Sequence, residues 1–290
     1  TSAIRWIPNI FLSQEEVDAF KSESTENDET ETVNTSLIRI APAAESGTET
    51  ADDGVELIAI THGTAKGKLL IVRDPSRVIL GVSSEEFNAK TPGLQLTELV
   101  AKYGGVAGTN AGGFNDENGR GNGGVPQGLV ISGGALLHTA REGERYNVVG
   151  FDADHILHVG TMTADEALAQ GLTDAVSFRT HDGLASSLII NGEVQSKNLG
   201  GGVNPRTAIG QCADGSVLLL VLDGRSINTL GATMQDVADI MLEYGAVNAG
   251  NLDGGSSSVM VYDGEIINNC ASVTGPRNIP TAFIVLPEGD

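Results

Sequence analysis

Positive charge is scarce in this sequence. Its 290 residues hold 17 Lys and Arg against 38 Asp and Glu, a formal charge of −21, so phosphate backbones and anionic lipid surfaces are repelled rather than gathered. Nucleic acid is set aside as a partner on that ground, and lipid as an unassisted one. Long apolar runs are missing too: none approaches the roughly 18–20 residues that cross a bilayer, and no short apolar stretch with basic flanks marks a secretory signal. The sequence opens at Thr1 rather than Met, which leaves room for an upstream targeting or anchoring segment. Cys212 and Cys270 are too few for a disulfide framework and read as separate small core residues. Gly-x-Ser-x-Gly and Walker patterns do not occur, which counts against a nucleophile-elbow hydrolase and a P-loop enzyme. His155 and His158 stand three apart in an extended run, point to opposite faces, and make a poor zinc pair.

What is present divides in two. Residues 1–56 carry 13 acidic and 3 basic side chains, and Ser22–Asp53 is rich in Ser, Thr, Glu and Asp, with Leu37–Ile40 as its apolar interruption. Such a stretch buries too little surface to offset its ordering entropy. Residues 1–53 are therefore expected to form an acidic linker whose removal leaves activity intact, preceded by a short helix around Phe11–Val17 capped by Ser13.

From residue 54 onward short β-rich runs take over: Val55–Ile60, Lys68–Val72, Val78–Val82, Gly128–Ile131, Ser187–Ile190, Val217–Leu222, Val259–Tyr262 and Ala282–Leu286. Asn191-Gly192, Asp214-Gly215 and Asp263-Gly264 lie between apolar stretches as tight turns, which argues for antiparallel pairing. Helices are expected at Leu96–Tyr103, Ala164–Ala169 and Thr233–Tyr244, the last with a Thr233/Asp236 capping box. Residues 54–290 thus read as one α+β domain with a mainly antiparallel, mixed sheet. Tyr103–Gly113 and Tyr244–Gly254 also align without a gap, so that Tyr, Gly, Val, Asn and the last Gly recur. Two pseudo-repeated helix–strand units are expected, with Asn110 and Asn251 facing one pocket.

The residues suited to chemistry cluster at glycine turns. Asn251-Leu252-Asp253-Gly254-Gly255-Ser256-Ser257-Ser258 sets a carboxylate before two glycines whose amides can approach an anion, with hydroxyls behind. Asn110-Ala111-Gly112-Gly113-Phe114 has the same character. The acidic loop Asn115–Arg120 lacks the ligand register of an EF-hand and reads as solvated, long enough to cover a pocket. Arg206 lies just before one strand, and Asp223-Gly224-Arg225 follows the next; arginine's planar fork fits phosphate or carboxylate.

These blocks, with Pro205–Gly210 and Pro276-Arg277, resemble in order and spacing the phosphodiester glycosidase family over about Val55–Leu286. Lys66–Arg77 looks like its Gram-positive bacterial branch. The resemblance implies hydrolysis of the anomeric C–O bond of sugar-1-phosphodiesters, on cell-surface or exopolysaccharide glycans. Asp253, Arg206 and Asn110 are the implied catalytic residues. Asn251, Gly254, Gly255, Ser256, Gly112, Gly113, Asp223, Arg225 and Arg277 are the candidate substrate-binding ones. No cofactor is implied, and a metal requirement stays open. The branch often carries a membrane anchor before the linker, which would place the domain outside the cell. A phosphodiester is already a good leaving group, so one carboxylate with cationic donors can suffice. A phosphodiesterase cleaving P–O and a non-catalytic cell-surface glycan-binding module are the alternatives.

Overall fold

The hairpins form where the turn chemistry places them. Asn191 and Asp263 adopt φ of 55° and 49° ahead of a positive-φ glycine, the conformation that Asn and Asp tolerate best among residues with a side chain. The computed structural model describes residues 32–40, 54–116, 121–178, 187–195, 199–226, 229–272 and 275–289. The expected helix at Phe11–Val17 lies outside them, as does most of the acidic stretch.

Three sheets organise the described residues. The first, of seven strands, runs β1 (Val55–His62), β2 (Ala65–Val72), β13 (Val217–Leu222), β12 (Arg206–Cys212), β14 (Ala246–Asn251), β10 (Ser187–Ile190) and β11 (Glu193–Val194). The second orders β16 (Glu265–Ile266), β15 (Met260–Tyr262), β4 (Ala107–Asn110), β17 (Thr281–Val285) and β3 (Val78–Val82). The third orders β6 (Ala135–Thr139), β5 (Leu129–Ser132), β9 (Leu172–Ser177), β7 (Tyr146–Asp152) and β8 (Leu157–Met162). Every strand pair among the described residues is antiparallel. That corrects the expectation of a mixed sheet: the connections are hairpins and longer antiparallel returns, with no crossover that would set neighbours parallel.

The inner faces of all three sheets converge on one core, where Leu70, Leu219 and Ile209 of the first, with Leu252 just after β14, meet Leu80, Met260 and Phe283 of the second and Val149, Phe151 and Val176 of the third. Each outer face takes one helix. α1 (Leu96–Lys102) covers the second sheet through Leu96, Leu99 and Val100, α2 (Ala164–Ala169) the third through Ala167, and α3 (Met234–Glu243) the first through Met234, Val237 and Met241. The capping box of α3 forms as expected, with Thr233 receiving the Asp236 amide and Asp236 the Thr233 amide. Gly104, at φ +65°, ends the segment after α1, so α1–β4 and α3–β14 are both helix–strand units that finish on an asparagine.

The linker expectation needs correction at residues 33–40. Val33 and Ile38 are buried, Val33 joins the inter-sheet core, and the Arg39 amide donates to the Ala213 carbonyl at 2.8 Å. A short apolar interruption in an acidic stretch is enough to dock when hairpin turns receive it, here those of β12–β13 and β10–β11. Described residues from Val33 onward fall in one contact unit.

Candidate active site

The turn after β14 is stitched to both neighbouring sheets before any side chain is considered. Leu252 donates its amide to Thr207 O at 2.8 Å, Asp253 to Ala111 O at 3.0 Å and Gly255 to Pro205 O at 3.0 Å. Gly254 packs so tightly on the strand entering β12 that a Cβ there would stand 2.9 Å from the Pro205 carbonyl oxygen. Gly255 takes φ +63° with open space around it, a left-handed conformation in which a side chain is strained. The chain then makes a 3₁₀ turn over Gly255–Ser257.

This stitching changes the role expected for the two glycine amides. The Gly254 N–H turns to the Asp253 carboxylate and the Gly255 N–H is spent on Pro205. Neither is left to cradle an anion, because the sharp turn must satisfy its own backbone first.

Asp253 keeps part of its surface open, while its carboxyl group is enclosed by protein. Burial is the dominant influence and pushes its pKa up to about 7; the Ser257 hydroxyl, Arg277 and the Gly254 amide oppose that shift, and Asp116 adds to it. Burial destabilises the ionised form, and here the donors present do not fully compensate.

The cation whose field reaches Asp253 is Arg277. Its guanidinium lies 4.7 Å over the centre of the Phe114 ring. Nη1 donates to Ser256 Oγ at 3.3 Å, and Nη2 donates to Gly121 O at 3.1 Å and to the Asp116 carboxylate. Asp116, which the sequence places in a solvated acidic loop, therefore belongs to the site. Its signal was visible only as an acid just after the Asn110–Phe114 glycine turn; the partner lies 161 residues away.

Asn110 is a brace. Its carboxamide is buried, donates through Nδ2 to Asp253 O at 2.6 Å, and accepts the Val259 amide at 3.1 Å and the Thr207 hydroxyl at 3.0 Å on Oδ1. It ties β4 to β12 and to both ends of the turn. These bonds give its carboxamide a positioning role at the turn. Asn251 pairs in register with Ala208, on the α3 side of the first sheet, whereas Thr207 and Asn110 meet on the inter-sheet side. The two asparagines converge on one turn from opposite faces, so the expected shared pocket is not formed. Asn251 donates to Leu252 O at 2.8 Å, and its buried Oδ1 has no donor.

Arg206 also points to the α3 side. It is buried, with Nε on Ala232 O at 3.2 Å and Nη2 on Gly201 O and Gly202 O at 2.7 Å each. Burial lowers its pKa, and among the described residues no carboxylate pairs with it. Asp223 is buried and accepts from the Asn269 amide at 2.9 Å and Nδ2 at 3.1 Å, anchoring the segment after β16. Arg225 is exposed. Where a side chain would stand, Gly112 and Gly113 are filled by protein: a Cβ at Gly112 would meet Val176 at 3.0 Å, and one at Gly113 would meet Phe178 at 3.1 Å. Their smallness serves packing against β9. His158 is bound to Asp152 at 2.7 Å and His155 sits in a turn at φ 58°. Among the described residues no three His, Cys, Asp or Glu group as a metal site. Cys212 and Cys270 are both free.

With this geometry in view, comparison with known proteins is specific. Residues 103–286, well over half of the chain, match the family model described as phosphodiester glycosidase. The auto-inhibited catalytic domain of zebrafish N-acetylglucosamine-1-phosphodiester α-N-acetylglucosaminidase superposes with a TM-score of 0.64 over 90% of this chain and 88% of that one, at 20% identity. A putative exported protein of Burkholderia pseudomallei gives 0.55 over 77% and 75%, at 17% identity. At such identities the likeness is one of fold. A curated relative, the SPbeta prophage-derived uncharacterized protein YomE of Bacillus subtilis, is 38% identical over 87 residues, 30% of this chain and 14% of that protein. The order of the Asn110, Arg206, Asp253 and Arg277 blocks, the two antiparallel sheets that bring them to one turn, and the family match lead to one conclusion: this chain belongs to the phosphodiester glycosidase family.

Proposed function

We propose that the protein hydrolyses the anomeric C–O bond of sugar-1-phosphodiesters, with Asp253 as its acid–base group and Arg277 on the phosphate. One observation carries this reading: a carboxyl enclosed by protein, its pKa pushed up to about 7 by that burial, lies within the field of a guanidinium held by Phe114 and Ser256. A group half ionised near neutral pH can take a proton from water and release it again within one turnover. In the proposed step the oxygen of water bonds to the anomeric carbon as the bond to the phosphate oxygen breaks, and Asp253 accepts the water's proton. The phosphate leaves as a stable monoester anion, still esterified to its remaining group, so a second catalytic carboxylate is not required. Arg277 attracts the phosphate more strongly as charge builds on it, which accelerates the reaction rather than only tightening binding.

Around that pair, Asn110 and Thr207 set the turn, Ser256 and Arg225 offer polar contacts to the substrate, and Asp223 fixes the flanking segment. Arg206 was expected on the phosphate side. Its fork is largely committed to main-chain carbonyls, so only Nη1 is assigned to a ligand. The name of the zebrafish enzyme makes an N-acetylglucosamine-1-phosphodiester the first compound to test. The wider proposal places the domain outside the cell, behind an N-terminal anchor, acting on surface or exopolysaccharide glycans; the acidic N-terminal stretch as a spacer supports it.

The test is a panel of sugar-1-phosphodiesters incubated in heavy-oxygen water. Label on the sugar supports the proposal. Label on the phosphate reassigns the protein as a P–O phosphodiesterase, and tight binding with no product reassigns it as a glycan-binding module.

A further inference from the structure

The two members of the Arg277–Asp116 pair are not equivalent. The Arg277 side chain is 13% exposed, clamped between the Phe114 ring and the Ser256 hydroxyl, whereas the Asp116 side chain is 45% exposed. The cation is built in and its anion sits at the solvent end. A carboxylate on a guanidinium occupies the place that a phosphate oxygen takes, because both present acceptors that match the same fork. Asp116 already meets solvent, so water can take up its carboxylate when another anion replaces it on the guanidinium. Beside it, the Ser256 hydroxyl faces Nη1, and the Ser256 amide has no intramolecular acceptor among the bonds of the turn.

We infer that Arg277 and Ser256 form the phosphate subsite and that Asp116 is its resident anion, which a phosphodiester substrate must displace in order to bind. The inference rests on the function proposed above for the nature of the incoming anion. Its consequence is specificity. A neutral glycoside has nothing to offer Arg277 in exchange for Asp116, while a phosphodiester brings its own negative charge. Asp116 acts as a specificity-determining residue that filters for anionic substrates without touching the reacting atoms.

Inorganic phosphate binding, followed by calorimetry on the full chain, tests this without any turnover, so an inactive protein does not obscure the result. Asp116→Asn keeps the shape of the side chain and removes the competing charge. It is expected to bind phosphate about fivefold more tightly, the scale of a partly exposed ion pair. The gain should persist at 1 M sodium chloride, where fields beyond about 3 Å are screened and only direct competition remains. Arg277→Gln should abolish phosphate binding in both the parent and the Asp116→Asn background, with unfolding midpoints measured to confirm that each variant is folded. Equal or weaker binding by Asp116→Asn would show that Asp116 clamps Arg277 rather than competing for it. A gain that vanishes in salt would reduce Asp116 to a distant repulsive charge. Phosphate affinity retained in Arg277→Gln, or no phosphate binding in Asp116→Asn, overturns the subsite.

Discussion

Replacing Asp253 by Asn tests the central electrostatic argument in a way that does not depend on knowing the substrate. In the folded protein the carboxyl titrates at about 7, against an ordinary value of 3.8. Between those two values the native state holds a proton that the unfolded chain has released, so stability falls as pH rises from about 4 to 7 and is level above that window. Each unit of difference is worth about 1.4 kcal/mol, so the whole window sums to at most roughly 4 kcal/mol. Asp253→Asn cannot titrate and keeps a group that both donates and accepts, so this slope should disappear from it. The assay is urea denaturation of parent and variant at pH 5, 6, 7 and 8, with the difference between the two curves isolating this one group from the other acids. The variant is expected to gain on the parent with rising pH, reaching a relative advantage of a few kcal/mol at pH 8. Its turnover should drop by at least about a hundredfold, the scale of a lost acid–base group. A stability difference that is flat across the window would mean that Asp253 ionises normally in the fold, and the acid–base assignment would fall with it.

Further expectations concern the frame of the site. Asn110→Ala strands the Val259 amide and the Thr207 hydroxyl and frees the Asp253 carbonyl; a loss of about 3 kcal/mol in chemical denaturation is expected, and Asn110→Ala as stable as the parent would refute the brace. A chain beginning at Gly54 loses the buried Val33 and Ile38, with an expected cost of roughly 3 kcal/mol, whereas one beginning at Thr32 should melt like the full chain; equal melting of both would restore the linker reading for residues 33–40. Gly255→Ala should cost about 1 kcal/mol through its positive φ, and Gly254→Ala should cost more and also slow turnover, because its Cβ presses on the Pro205 carbonyl. The opposite ranking in thermal melts would mean that the turn relaxes freely. Thiol titration of the unfolded chain without reductant should find both cysteines reactive, in line with their free state; an unreactive pair would show a bond.

The elements that local chemistry specifies were legible without the fold. β3, β10 and β13 match the expected Val78–Val82, Ser187–Ile190 and Val217–Leu222, and α2 matches Ala164–Ala169, because a buried apolar run between turn residues, or a Thr163 cap ahead of an acidic turn, leaves few alternatives. Strands β4 and β14 were legible only through the repeated helix–strand unit, because Ala107–Asn110 and Ala246–Asn251 are rich in small and polar residues, while β6, β7 and β9 escaped recognition and are strands because neighbouring strands satisfy their backbone. Asp253 stood out in the sequence by its glycine turn. What the turn does with its amides depends on Pro205 and Ala111, which reach it through the sheets. Tertiary structure alone chose Arg277 over Arg206 as the cation of the carboxylate. Strand alternation sends Arg206 to the α3 side, while the chain's return at Arg277 brings a second guanidinium under Ser256 and against Asp116. Composition and turn chemistry are local and survive in the one-dimensional sequence. Which face a side chain takes, and which distant charge it meets, follows from register and packing among strands far apart in the chain.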